Sequence, residues 1–387
     1  MSANIEHVDR SDLAERHREG SRDAPSEQCR ALFLIPSLVG GGAERVIVTL
    51  LKHLDRRRFR LTLAVLRLRD GDLSRELPSD VEIIDLGASR VRYGLWRIIS
   101  LIWNLRSEVV FSTHGELNLA LALCLPLMPH GVRFIARETQ VVGLGMLEHR
   151  FPVVWRALYR LLYKKYDLVV CQSRHMQREL IECCDLPSEK SVVINNPVDA
   201  SHIHRLAAQP VLYPPQRAGV IKLVAAGRLV EVKGFDLLIE AIALVGVRDL
   251  HLVILGEGPL RSELETLAKA RGVAEQIHLA GFQTNPYAWF ANADAFVLSS
   301  RHEGFPNVVL EALACGTPVI ATPAPGGLQE ILGDVPECIV APSVSAVALA
   351  DAIKTWLAGE RKRIPQAATE RYALERIVAQ YEEAIRP

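Results

Sequence analysis

Between Arg30 and Pro197 the chain alternates short apolar runs with longer stretches of helical spacing. The run ALFLIPSL (31–38) reads as a buried strand, and VGGGAERVIVTLLKHL after it reads as a glycine loop opening into a helix. RLTLAVLRL, VEIIDLG, EVVFSTH, RFIARET, DLVVCQS and SVVINNP are the further strands of this half. LWRIISLIWNLR, LNLALALCLPLM and SRHMQREL are its helices, the second buried, interrupted by Pro126 and too short to span a bilayer. Strand–helix alternation of this kind predicts a doubly wound parallel sheet.

The stretch DASHIHRLAAQPVLYPPQRAG (199–219) is polar and rich in proline, and reads as a linker. After it the cycle restarts with VIKLVAAGRL, FDLLIEAIALV, LHLVILGEGP, LRSELETLAKARG, QIHLAGF, AFVLSS, NVVLEALACG and TPVIAT. Two Rossmann-like halves of similar size are expected, with a cleft between them. The expected boundaries are a disordered extension over 1–29, a first domain over 30–208 and a second over 209–371. An amphipathic last helix within 372–387 is expected to cross back to the first domain. A chain of 387 residues agrees with two cores rather than one.

Composition changes this picture little. The chain is 49% hydrophobic and 23% charged with zero formal net charge, which argues against a nucleic-acid binder. The halves differ: residues 1–210 hold 29 Lys+Arg against 25 Asp+Glu (+4), residues 211–387 hold 16 against 20 (−4). Without its first thirty residues the first half stands at +6, a weak sign that it faces something anionic such as lipid headgroups. The seven cysteines are irregularly spaced, so neither a disulfide framework nor a zinc site is expected, and the compartment reads as reducing. The first residues lack the apolar core of a secretory signal.

Ligands of such sheets bind at the carboxyl ends of the strands, so the loops that follow strands carry the chemistry. In SLVGGGAERV (37–46), Gly40, Gly41 and Gly42 clear the start of a helix, which suits either an anion or a plain tight turn. In AAGRLVEVKGFD (225–236), Arg228 and Lys233 can neutralise a diphosphate, although solvated basic pairs are common. In RHEGFPNVVLEALACGTPVIA (301–321), Glu303 sits in a loop, Pro306 suits a first helical turn, and Glu311 lies on the helix. Dipole complementation explains Glu303 but not Glu311, and hydroxyl groups of a sugar or ribose would supply donors to both.

Taken together, GGAERV, GRLVEVKGFD, LGEGPLRSELE, AGF and EGFPNVVLEALACGTPVIA resemble the retaining glycosyltransferases of family 4, which have the GT-B fold: two Rossmann-like domains facing across a cleft. The resemblance runs from residue 30 to 387 with the motifs in order. It implies a nucleotide-sugar donor, expected to be a UDP-sugar, held mainly by the second domain. Arg228 and Lys233 would bind its diphosphate, Glu303 the sugar hydroxyls and Glu311 the ribose. Backbone amides at Phe305, Asn307, Val308 and Val309 would cradle sugar and phosphate, and backbone around Phe282 would hold the base. Gly41 and Gly42 would let the first domain close over the diphosphate, and His114 would stand near sugar and acceptor; without the family it reads as an ordinary strand-end histidine.

Pro306 departs from the glycine of many members and removes one N–H. The EGFPN form, GGAERV and the ARETQ segment with Arg137 and Glu138 resemble members that extend polyprenyl-diphosphate-linked oligosaccharides. The implied activity is transfer of a hexose or N-acetylhexosamine to such an acceptor with retention, without a metal or other cofactor. Asp70 and Asp72 in RDGDLS read as a turn rather than a metal motif. RVRYGLWRIISLIWNLR (90–106) mixes Trp96 and Trp103 with four arginines, which suits either a bilayer surface or a helix packed on the sheet. With the basic first half it leads to an expectation of peripheral attachment to the inner face of the cytoplasmic membrane. The competing readings are a GT-B epimerase or phosphorylase, a nucleotide-binding non-enzyme, and a dehydrogenase suggested by GEGP (256–259), which lacks the rest of the dinucleotide fingerprint.

Overall fold

The computed structural model describes residues 6–7, 28–69, 73–147, 150–214 and 219–387. The expectations for the extension 1–29 and for Asp70 and Asp72 therefore fall outside the described residues, except for Glu6, His7, Gln28 and Cys29. The chain divides into two compact units, Met1–Pro197 with Glu375–Pro387, and Val198–Leu374.

The first unit holds strands β1 (Glu6–His7), β2 (Cys29–Ile35), β3 (Phe59–Val65), β4 (Glu82–Asp85), β5 (Val109–Thr113), β6 (Arg133–Arg137), β7 (Leu168–Cys171) and β8 (Ser191–Val193). They form one parallel sheet in the order β1-β4-β3-β2-β5-β6-β7-β8. The second unit holds β9 (Ile221–Ala226), β10 (Leu250–Leu255), β11 (Ile277–Gly281), β12 (Ala295–Leu298), β13 (Val319–Ala321) and β14 (Ile339–Val340). Its parallel order is β11-β10-β9-β12-β13-β14. Helices cover such strands on both faces, which is why the inner strands are unbroken apolar runs: all of β5 and β12 is buried.

In each sheet the strand order reverses once, between β2 and β5 in the first and between β9 and β12 in the second. Loops leaving the carboxyl ends of two such neighbours diverge and leave a crevice. The glycine stretch follows β2 and His114 follows β5, while the Arg228–Lys233 loop follows β9 and the Glu303 loop follows β12. All four candidate loops thus flank a switch point of their own sheet.

Two differences from the sequence reading matter for the site. The expected linker contains the helix Ala200–Ala207, whose first turn is capped by the Asp199 carboxylate accepting from the His202 amide at 2.8 Å. Its Ile203, together with Val198 and Tyr213, belongs to the core of the second unit, so that unit begins at Val198 rather than at 209. A parallel bridge from Val198 to Ala373 holds the two ends of that unit together. The last helix, Leu374–Ile385, places Tyr381 and Ile385 fully inside, with Tyr381 edge-on to Phe111 of β5.

Candidate functional site

In the second unit the crevice is built by the loops after β9 and β12. Gly234 has φ +60°, and a Cβ there would stand 2.1 Å from the Ser299 carbonyl oxygen, so only glycine lets the two loops approach. Ser299 Oγ donates to the Lys233 carbonyl at 2.8 Å, and the Arg301 amide donates to the Val232 carbonyl at 2.8 Å. Arg301 also grips Asp236 with both fork nitrogens, at 2.9 and 2.7 Å, which holds that carboxyl below its usual range.

These bonds bring Lys233 and Glu303 together. Lys233 Nζ donates to Glu303 Oε1 at 2.7 Å, and the buried Ser300 hydroxyl donates to the same oxygen at 2.6 Å. Glu303 is 9% exposed, and a carboxylate so placed stays in the fold only with such partners. Ser300 is fixed in turn by its carbonyl, which accepts from Thr322 Oγ1 at 2.6 Å. Sequence reading found the two charges but not Ser300, Ser299 or Arg301.

Arg228 is exposed, and its side chain makes no hydrogen bond or ion pair among the described residues. The glycines of GEGP line the neighbouring loop: a Cβ at Gly256 (φ +140°) would lie 1.9 Å from the Gly227 carbonyl oxygen. That explains GEGP by close packing beneath Arg228 rather than by a dinucleotide fingerprint. Further round the rim, Phe282 follows β11 and is exposed.

The loop after β13, Thr322–Gly327, closes the crevice on its other side and carried no weight in the sequence. The Glu303 amide donates to the Pro325 carbonyl at 3.0 Å, and the Gly327 amide to the Gly304 carbonyl at 2.8 Å. A Cβ on Gly326 would collide with the Glu303 carbonyl oxygen. The PGG triplet (325–327) was the available signal for this contact.

The helix is Asn307–Ala314; Pro306, expected in its first turn, is instead the extended residue that caps it. Among the amides expected to face a ligand, that of Val309 is already donating to the Pro306 carbonyl at 3.0 Å, which removes it from the set. Asn307, Val308 and Glu311 are half-buried, while the Phe305 ring packs inward against Tyr372. Glu311 lies one turn before Cys315, whose thiol is pushed up to about 12 by burial and then by the Glu311 charge.

In the first unit, Gly41 caps the helix Gly42–His53, and Gly40 has φ +99°. Ser37 Oγ donates to Glu44 Oε1 at 3.3 Å, and a Cβ on Gly41 would strike the Glu44 carboxylate. His114 has φ +78° and precedes the helix Gly115–Cys124. A β-carbon-bearing residue held in that region stores strain of about 1–3 kcal/mol, a cost that concentrates at functional sites. Its Nδ1 is buried without a partner among the described residues. Burial holds the imidazole below its ordinary pKa against the opposing pull of Glu44.

Arg137 and Glu138 do not face outward as an acceptor contact would require. Arg137 is fully buried, its Nε donating to the Tyr381 hydroxyl at 3.0 Å and its Nη2 to Asn196 Oδ1 at 2.7 Å. Glu138 is also buried; Asn118 Nδ2 (3.3 Å) and the Tyr163 hydroxyl donate to its Oε1. Burial raises its carboxyl to about 8, so it is mostly protonated at neutral pH. Both residues brace the end of β6 instead. Among the described residues no three His, Cys, Asp or Glu side chains are grouped to hold a metal ion.

Comparison with known proteins agrees over both units of the chain. Residues 215–371 match the family described as Glycosyl transferases group 1, and residues 40–202 match Glycosyltransferase Family 4. The chain is 30% identical over 314 residues to the N-acetylgalactosamine-N,N'-diacetylbacillosaminyl-diphospho-undecaprenol 4-alpha-N-acetylgalactosaminyltransferase of Campylobacter jejuni, covering 78% of this chain and 83% of that protein. Among solved structures, a glycosyltransferase from Rickettsia africae superposes with a TM-score of 0.75 at 19% identity, covering 92% of this chain and 98% of that one. HepE of Anabaena, solved in complex with UDP, gives a TM-score of 0.73 at 20% identity, covering 92% and 99%.

Proposed function

Since the chain belongs to the family 4 glycosyltransferases and has their GT-B fold, we propose that it moves a hexose or N-acetylhexosamine from a UDP-sugar to a polyprenyl-diphosphate-linked saccharide, with retention of anomeric configuration. The observation that carries this reading is the buried Glu303 carboxylate, held by Lys233 and Ser300 at the switch point of the second sheet. The UDP bound by HepE supports the donor class, and the diphospho-undecaprenol in the name of the Campylobacter relative supports the acceptor class.

Lys233 carries three N–H donors, one of which goes to Glu303. The other two, with the exposed Arg228 fork, are assigned to the donor diphosphate, where negative charge grows as the sugar–oxygen bond breaks. Glu303 is assigned to the sugar hydroxyls and Glu311 to the ribose. The diphosphate oxygen leaves on the face from which the acceptor hydroxyl arrives, and takes that hydroxyl's proton as the new glycosidic bond forms. Retention follows from this same-face exchange without a protein nucleophile. Gly41, Gly42 and His114 are assigned supporting roles from the first unit, the histidine in its neutral form.

No helix among the described residues is long and apolar enough to cross a membrane. A lipid-linked acceptor puts the reaction at a bilayer surface, so the enzyme is assigned a peripheral place on the inner face of the cytoplasmic membrane. The test is nucleotide release from a panel of UDP- and GDP-sugars, with and without a polyprenyl-diphosphate-linked saccharide. Glu303→Ala is expected to abolish transfer and Glu311→Ala to weaken donor binding, with activity persisting in EDTA. Near-normal turnover of Glu303→Ala overturns the assignment, and strict dependence on added Mn²⁺ or Mg²⁺ overturns the metal-free mechanism.

A further inference from the structure

Glu138 takes no part in the reaction as described, and a carboxyl is costly to bury without a use for its bonds. Its partners lead to His114. Glu138 Oε1 accepts from Asn118 Nδ2 at 3.3 Å and from the Tyr163 hydroxyl. Asn118 Nδ2 also donates to the Arg137 carbonyl at 3.2 Å, while the Asn118 amide donates to the His114 carbonyl at 2.9 Å. The Asn118 carbonyl in turn accepts from the Tyr166 hydroxyl at 2.7 Å. One fully buried asparagine thus ties the end of β6 to the turn in which His114 has φ +78°.

The residue after His114 is held by the same group. A Cβ on Gly115 would strike the Tyr159 hydroxyl, and would lie 3.4 Å from Tyr159 Cζ and 3.6 Å from Glu138 Oε1. Glycine is needed there for close approach, since its φ is not left-handed. The Tyr159 and Tyr163 rings stand 4.5 Å apart, and Tyr163 and Tyr166 5.8 Å apart, so three tyrosines wall the group in. A polar network of this kind fixes one arrangement where an apolar core would allow several.

We propose that Glu138 and Asn118 are positioning residues for His114, their bonds holding the strained turn after β5 in the geometry that transfer requires. The inference rests on the supporting role given to His114 in the reaction above. It also makes the turn sensitive to alkali. Burial raises the Glu138 carboxyl to about 8, against the weaker pulls of the Asn118 and Thr139 donors and of the Arg137 charge. From the other elements Tyr159, Tyr163, Tyr166, Cys171 and Cys184 surround it, none of them a cation, and the exposed Glu116 adds negative charge beside Tyr159. Once ionised, Glu138 is a buried charge that Arg137 alone offsets; it draws in water, and Asn118 and the His114 turn lose their fixed place.

The experiment follows the His114 ring resonances of the full chain by NMR from about pH 6.5 to 9.5, assigned by their loss in His114→Gln. The ring's own titration lies below its ordinary value, so a further change with its midpoint near 8 reports Glu138. That change is expected in the parent protein and not in Glu138→Gln, which keeps a neutral acceptor for Asn118 and Tyr163. At pH 9 about a tenth of Glu138 stays protonated, so the parent's kcat/KM should fall about tenfold relative to Glu138→Gln, with UDP affinity equal in both. Gly115→Ala should lower kcat/KM about tenfold by lifting the helix start off Tyr159. Adding Tyr159→Phe, which leaves Cζ at 3.4 Å, should restore most of it.

A His114 resonance unchanged near pH 8, the same change in Glu138→Gln, or equal pH profiles of the two proteins overturns the proposal. If the parent protein transfers no sugar, the reaction assigned above falls and with it the role of these residues in transfer. The NMR comparison then still shows whether Glu138 holds His114.

Discussion

Ser300→Ala isolates one of the two bonds that hold Glu303. Both residues are buried, at 1% and 9% exposure, so water does not readily replace the lost hydroxyl. A hydrogen bond to a charged group contributes about 1.5–3 kcal/mol. Because Lys233 remains as a partner at 2.7 Å, the lower part of that range, about 1.5–2 kcal/mol, is expected. The second unit spans Val198–Leu374, which is 374 − 198 + 1 = 177 residues. For a domain of that size each kcal/mol moves the melting temperature by about 2–4 °C, so its transition should fall by about 3–8 °C.

The catalytic effect separates positioning from simple destabilisation. With one restraint gone the carboxylate swings about its Lys233 contact, and a misplacement of that kind costs about tenfold to a hundredfold in rate. Donor kcat/KM should fall by that factor at a temperature where the variant is fully folded. UDP lacks the sugar that Glu303 addresses, so its affinity, measured by calorimetry, should stay within about twofold. A parallel loss of UDP affinity would refute the reasoning, as would unchanged kcat/KM despite the lowered melting temperature.

Three other perturbations probe different parts of the molecule. Arg228→Ala removes an exposed side chain, so stability should change by less than about 0.5 kcal/mol while UDP-sugar affinity falls tenfold or more; equal donor affinity in a binding titration removes Arg228 from the site. Gly256→Ala would place a Cβ 1.9 Å from the Gly227 carbonyl oxygen at φ +140°, so a loss of about 3 kcal/mol or more is expected in urea melts, and a loss under 1 kcal/mol contradicts the packing described. Glu138 rises from 4.5 to about 8 on folding, so its contribution is full below the unfolded value and disappears as pH climbs from about 4.5 through 8. Glu138→Gln keeps an acceptor for Tyr163 and should flatten that part of the stability–pH curve; an unchanged slope between pH 5 and 8 would show that Glu138 is not the group responsible.

How far the sequence could be read depended on whether the physics was local. Strands such as ALFLI and AFVL are legible because a parallel sheet buried on both faces demands apolar runs in each strand separately. The helix Ala200–Ala207 was also signalled locally, by Asp199 ahead of Ile203 and Leu206, but the prolines that follow outweighed it. Pro152–Leu162 is a harder case: its spacing is amphipathic, but Val153, Val154 and Leu161 stand exposed while Tyr159 and Leu162 are buried, so the apolar pattern alone does not say which face meets the core.

The same division runs through the site. Glu303 is conspicuous because an acid in an apolar run needs a partner, and Lys233 because with Arg228 it puts two cations in a loop that follows a strand. Their pairing across 70 residues depends on β9 and β12 being neighbours, which follows from the strand order rather than from either motif. Arg137 fails for the complementary reason. At the end of a strand an arginine ordinarily reaches solvent, and nothing in ARETQ says otherwise. The hydroxyl that accepts from its Nε belongs to Tyr381, 244 residues further on, in a helix that returns to the first unit. A side chain's exposure at a strand end is thus decided by what the rest of the chain brings to it, and only the folded topology contains that fact.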